Sequence, residues 1–131
     1  MSQKAVEIIL TRQLAGYLAT PIFLVDPGGR LLFYNEPAEA LMGRRYDETG
    51  ELPLAEWSAI FTPHAEDGTA LTADELPLGI ALRKHQAAHR TFWIRSLDGI
   101  SRKIAVTALP LEGQGGRHLG ALAIVWEHEP S

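Results

Sequence analysis

The sequence predicts an α+β domain built on an antiparallel sheet, and three observations carry that prediction. Two short apolar runs near the start are joined by the turn sequence Pro27-Gly28-Gly29. The last third holds three runs rich in β-branched and aromatic residues, separated by Asp98-Gly99 and by a glycine-rich stretch at 113–116. Between these groups lie short segments with helical spacing and helix punctuation. Two strands, several short helices and three further strands make a mixed domain in which adjacent strands pair antiparallel.

The first element is an amphipathic helix expected over residues 3–19. Val6, Leu10, Leu14 and Leu18 recur every fourth residue with Ile9 and Tyr17 alongside, while Lys4, Glu7 and Arg12 fall on other sides. Ser2 is its candidate N-cap, Gly16 weakens the last turn and Pro21 marks the stop. Two uses of the apolar stripe stay open at this level: packing on its own domain, or a homodimer interface.

Residues 22–43 form a hairpin feeding a capped helix. Pro27 presets φ for the turn, and Gly28 and Gly29 tolerate the positive φ that a reversal needs. Asn35 ends the second run, where its amide oxygen can accept from a free N–H in the next helix's first turn. Pro37 sits in that first turn, where a missing N–H does no harm. Gly43 follows Leu41 and Met42 at the position of a left-handed C-terminal cap.

A second short helix is expected over 52–61, with Pro53 in its first turn and Leu54, Trp57 and Phe61 on one face. Residues 62–73 form a loop turning at Asp67-Gly68. Thr72 and Glu75 have capping-box spacing, yet Pro77 would then remove a bond inside the helix. Thr72 is therefore expected to organise one short turn, with the helix running from Pro77 to about Gln86 and Leu78, Ala81 and Leu82 as its apolar face. In the strand expected over 89–97, Phe92 and Ile94 face one way and Thr91, Trp93 and Arg95 the other. The strand at 103–109 turns Ile104, Val106 and Ala108 to one side, and Pro110 is expected to end it. Residues 119–126 are almost continuously apolar, the pattern of a central strand covered on both faces.

Composition narrows function by exclusion. At 131 residues the chain makes one domain of common size, and no apolar run approaches the ~20 residues of a membrane span. Its start carries Glu7 and Arg12 and no small-residue cleavage site, a poor match to a signal peptide, so a cytoplasmic location is expected. A net charge of −4 with no basic run argues against nucleic-acid binding, which relies on phosphate neutralisation. With no cysteine, the chain excludes disulfides, thiolate metal sites, iron–sulfur clusters, cysteine nucleophiles and cofactors attached through sulfur.

The order of these joints resembles the PAS domain family from about Pro21 to Trp126. The residues that carry the resemblance are the strand-turn-strand ending in Asn35, then Ala38, Leu41 and Gly43. Asp67-Gly68, Glu75-Leu76-Pro77-Leu78 with Ala81-Leu82-Arg83, Asp98-Gly99, Ala108-Leu109-Pro110-Leu111 and Gly120-Ala121 follow in PAS order. The resemblance implies a five-stranded antiparallel sheet of order 2-1-5-4-3, with short helices on one face enclosing a small cavity. Its walls would be the helix at 77–86 and the strand around Trp93. It also implies a sensory or interaction module in place of a catalyst. The domain is expected over 21–127, preceded by the helix of residues 1–20 and followed by a short tail at 128–131. The last strand departs from the family's Asp-x-Thr ending, reading Val125-Trp126-Glu127-His128-Glu129. There is no room for a kinase, cyclase or DNA-binding domain. Output is expected to pass to an effector protein in trans, unless the chain is a piece of a longer one.

Candidate chemistry is sparse. Light-oxygen-voltage photochemistry needs a cysteine beside the flavin, and none exists; non-covalent flavin has no positive signature. Haem needs an axial ligand, and His85, near the end of the 77–86 helix, follows the exposed-looking pair Arg83-Lys84. His85 and His89 have the spacing of two imidazoles on one helix face, but the helix should end between them and no third ligand is near, so no metal site is expected. His64, Glu66, Asp67, Asp74 and Glu75 are better explained by a turn and a cap than as an acid/base cluster. An enzyme is not expected.

The sequence is therefore expected to encode a signalling module that binds a small molecule, a protein partner or both. Tyr34, Leu78, Leu82 and Trp93 are its candidate ligand residues, because large amphipathic and apolar side chains line such sites. Trp57 is read as core filling. Val6, Ile9, Leu10, Leu14, Tyr17 and Leu18 form its candidate homodimer surface. The alternative is a ligand-free interaction or dimerisation scaffold.

Overall fold

The computed structural model describes residues 6–95 and 99–127. The expected N-cap Ser2, the first residues of the N-terminal helix, Asp98 of the Asp98-Gly99 turn and the tail at 128–131 lie outside the described residues. Helix α1 spans Val6–Tyr17, and the hairpin strands are β1 (Ile22–Val25) and β2 (Leu31–Tyr34). Helices α2 (Glu36–Met42), α3 (Tyr46–Thr49), α4 (Leu54–Ile60) and α5 (Pro77–Lys84) follow, then β3 (Ala88–Arg95), β4 (Ser101–Glu112) and β5 (His118–Glu127).

The five strands form one antiparallel sheet in the expected order, β2-β1-β5-β4-β3. Strand β5, which carries the long apolar run, lies at its centre, paired with β1 (Phe23 opposite Ala123) and with β4 (Ala108 opposite Ala123). The turn into β2 closes as Asp26 Oδ1 accepts from the N–H groups of Gly28 and Arg30, each at 2.9 Å. Of the two turn glycines only Gly29 takes a positive φ, at 90°.

Strand alternation gives the sheet two faces. Phe23, Val25, Phe92, Ile94, Ile104, Val106, Ala108, Ala121 and Ala123 pack with Ala38, Met42 and Ala81 of the α2 and α5 side. Alanine at Ala38, Ala81, Ala108, Ala121 and Ala123, all essentially inaccessible, lets helix backbones approach the sheet closely. On the opposite face Ile8 of α1 packs with Leu24 and Leu32, flanked by Phe33, Leu111, Leu119 and Leu122.

Several boundaries differ from expectation, each for a local reason. Helix α1 ends at Tyr17, straight after Gly16. Pro53 is the N-cap of α4, outside the helix, with extended backbone (φ −61°, ψ 153°). Helix α3 was not anticipated: it is a single turn whose main anchor is Tyr46, packed 5.2 Å from Phe33 and 5.4 Å from Tyr34 between ring centroids. Helix α5 stops at Lys84 because His85 turns left-handed (φ 53°) and caps it. Pro110 lies inside β4, opposite Ala121, and does not end it. The β3 ladder finishes at Ala108, so the missing N–H of Pro110 faces no neighbouring strand and costs no ladder bond. The Thr72 turn is as expected: Glu75 Oε1 accepts from both the N–H and the hydroxyl of Thr72 at 3.1 Å, and α5 begins at Pro77.

Candidate functional site

Among the described residues, six of the ten exposed large hydrophobic side chains lie on α1 and the residue after it. The predicted stripe of α1 does not pack on the domain. Ile8 and Ala15 dock instead, two helical turns apart, while Val6, Ile9, Leu10, Leu14, Tyr17 and Leu18 are exposed by 41 to 88%. The docking side tolerates polar residues because they are satisfied. Thr11 donates to the carbonyl of Glu7 at 2.6 Å, and the Arg12 guanidinium lies 4.9 Å above the Phe33 ring. Exposed Leu109 and Trp126 add apolar area on the sheet itself.

Where α1 meets the sheet stands Asn35, 2% exposed. Its Oδ1 accepts from Ala38 N at 3.2 Å, which is the expected N-cap bond, and also from Ile22 N at 3.0 Å. Its Nδ2 donates to the carbonyls of Ala15 and Thr20, both at 2.9 Å. The other expected cap, Gly43, is left-handed (φ 81°) and donates its N–H to Glu39 O at 2.8 Å.

The candidate ligand residues do not converge as a set. Tyr34 is buried in the main cluster, and its hydroxyl pairs with Thr49 Oγ1 at 2.7 Å. Burial raises the Tyr34 phenol above its ordinary value, with the Thr49 hydrogen bond opposing the shift. Leu78 and Leu82 are half-buried and pack on the same cluster from α5. Trp93 does not join them. It alternates with the inward Phe92 and Ile94, so it points to the opposite face, opposite Lys103 and stacked 6.5 Å from His64. Of the strand around Trp93, it is Phe92 and Ile94 that face the helices. Trp57 fills the rim as read, donating Nε1–H to the Gly29 carbonyl at 2.8 Å.

Two hollows among the described residues are open grooves on α2. One is lined by Glu36, Glu39 and Arg44, the other by Leu18, Pro37 and Ala40. Between helices and sheet, Tyr34, Met42, Phe92 and the alanines pack in one cluster. His85, the candidate axial ligand, is exposed and stacks on His118 at 4.1 Å between centroids. The loop acids are tied up locally. Hydrogen bonds from the Thr69 side chain and backbone lower Asp67, and those from the backbone and hydroxyl of Thr72 lower Glu75. Among the described residues no three histidines or carboxylates converge on a metal site, and no helix is long and apolar enough to cross a membrane.

No protein-family model and no curated protein matches the sequence. Solved structures do match in shape. The PAS domain of BvgS from Bordetella pertussis aligns with a TM-score of 0.63 at 16% identity, over 95% of this chain and 87% of that one. The PAS domain of the fruit-fly ELK potassium channel aligns at 0.70 and 9% identity, over 95% and 98% of the two chains. This chain has the PAS fold. The Rhodobacter sphaeroides LOV protein aligns at 0.71 and 11% identity, over 94% of this chain and 68% of that one. At such identities the likeness is one of fold. Within this PAS fold, sequence reasoning found the Asn35 cap but missed the two bonds its amide nitrogen donates, one to α1 at Ala15 and one to the connection at Thr20. No sequence signal could show them, because their acceptors are backbone carbonyls 15 and 20 residues away.

Proposed function

We propose that this chain is a PAS-type signalling module that acts through protein contacts: it pairs with a second copy through α1 and passes its output to a separate effector. The observation that carries the proposal is the exposure of all six stripe residues of α1 while the helix docks through Ile8 and Ala15. An apolar face left uncovered on a helix that is already docked is the surface expected of a partner. Input and output then correspond to two arrangements of α1 against the sheet, whose populations a partner shifts. Catalysis has no part in this reading, and the cytoplasm is its setting.

A second reading, a small-molecule site at Tyr34, Leu78 and Leu82, draws on their sharing one hydrophobic cluster beneath α5. A ligand there would have to displace side chains that already fill the interior.

Native mass spectrometry with an absorption spectrum separates the readings. A colourless species with the mass of two chains supports the proposal. A single-chain mass at tens of micromolar overturns it, and a bound small molecule would move the assignment to the second reading.

A further inference from the structure

We propose that the Asn35 side chain is a coupling device, through which the docking of α1 governs the start of β1 and the N-terminus of α2. A primary amide has two donor and two acceptor positions, and here all four are used inside the protein. The donors hold the end of α1 and its connection, at Ala15 O and Thr20 O. The acceptor oxygen holds the first residue of β1 and the first turn of α2, at Ile22 N and Ala38 N. The amide is planar, so its nitrogen cannot follow a moving carbonyl without its oxygen moving too. Asn35 is also the one buried polar residue of the core among the described residues. Water is therefore not at hand to replace a lost partner, and an unsatisfied group there is costly.

Two further features keep the coupling local. Ala15 O also accepts from Leu18 N at 3.2 Å, so the last turn of α1 and the Asn35 amide share one acceptor. Only the short segment from Leu18 to Pro21 separates α1 from β1, leaving little slack to absorb a shift. When α1 lifts from Leu24 and Leu32, the amide loses its two carbonyls, and the α2 cap and the β1 start loosen together. The inference rests on the proposed function only in naming α1 as the moving part; it holds for a single chain as well as for a pair.

Hydrogen exchange of individual amides, followed by NMR on the full chain, tests it. Ile8→Glu removes the anchor of α1 without touching Asn35 or its four partners. The Ile22 and Ala38 amides are expected to exchange at least about tenfold faster, with ladder amides such as Ala105 unchanged. Asn35→Ser supplies a good N-cap too short to reach α1. In that background Ile8→Glu should change Ala38 exchange less than about twofold. Unchanged exchange at Ile22 and Ala38 in Ile8→Glu overturns the coupling, as does an effect undiminished by Asn35→Ser. Light scattering on the same samples reads the oligomeric state separately. A chain that is monomeric throughout removes the homodimer and leaves the coupling judged by exchange alone.

Discussion

Replacing Leu14 by glutamate puts a charge in the exposed face of α1 and tests the homodimer most directly. Leu14 is 61% exposed in the single chain, so the substitution removes little intramolecular packing. Leucine and glutamate have similar helix propensity, and the stability of the isolated fold should change by no more than about 0.5 kcal/mol. The effect on pairing is much larger. A fully exposed large apolar side chain offers roughly 150–200 Å², so six residues exposed by 41 to 88% offer on the order of 600 Å² per copy. Two copies would bury about 1,200 Å², the lower bound of a stable standard interface. A two-fold axis places the substitution in the interface twice. Losing two buried leucines at roughly 1.5 kcal/mol each, before any repulsion between the carboxylates, weakens dimerisation by at least about 3 kcal/mol, or roughly 100-fold in Kd. Sedimentation equilibrium over a concentration series reads this directly, with circular dichroism melts confirming the fold. Gln86→Glu, an equal charge at an exposed position just past α5, should leave the equilibrium unchanged. A Leu14→Glu protein that dimerises within about threefold of the parent would refute the assignment of the stripe.

Three other predictions follow from single sites. A Cβ on Gly120 (φ 127°) would overlap the Val25 carbonyl on the adjacent strand, whereas one on Gly116 (φ 74°) meets nothing within 4 Å. Gly120→Ala should cost about 3–5 kcal/mol and at least about 10 °C in Tm, against about 1 kcal/mol for Gly116→Ala; equal melting shifts for the two would contradict the packing. For Tyr34, burial favours the neutral phenol, so its contribution is complete below the unfolded value near ~10 and is lost as pH rises through the raised folded value. Urea denaturation at alkaline pH should show a loss that Tyr34→Phe abolishes. Asp67 and Glu75 are lowered by their threonine hydrogen bonds, so the stability they supply is present above about pH 4 and lost as pH falls through their folded values. Thr72→Val should flatten part of that acid limb in a pH series of denaturant melts, and an unaltered limb would show that the Thr72 hydroxyl bond to Glu75 contributes nothing.

What the sequence by itself determined was a set of features with short-range causes. The hairpin turn at Pro27-Gly28-Gly29, the Asn35 and Gly43 caps and the restart of the chain at Pro77 each depend on backbone groups a few residues away. Strand alternation and the apolar 119–126 run likewise placed β5 at the centre, because period and composition report burial directly. Tertiary structure decided the rest. Helical spacing showed that α1 has an apolar stripe, but not that Ile8 and Ala15 would dock while the stripe stayed outside. That choice depends on the shape of the Leu24 and Leu32 surface, and on Ala15 being small enough to bring its carbonyl to Asn35. Trp93 could be assigned to a side of its strand but not to a face of the sheet, which only the pairing of β3 with β4 defines. Pro110 is tolerated because β3 has already ended there, a fact about register between strands. Asn35 spans both levels. Its cap bond is local and was legible, while its bonds to Ala15 and Thr20 exist only because the fold returns α1 to the end of β2.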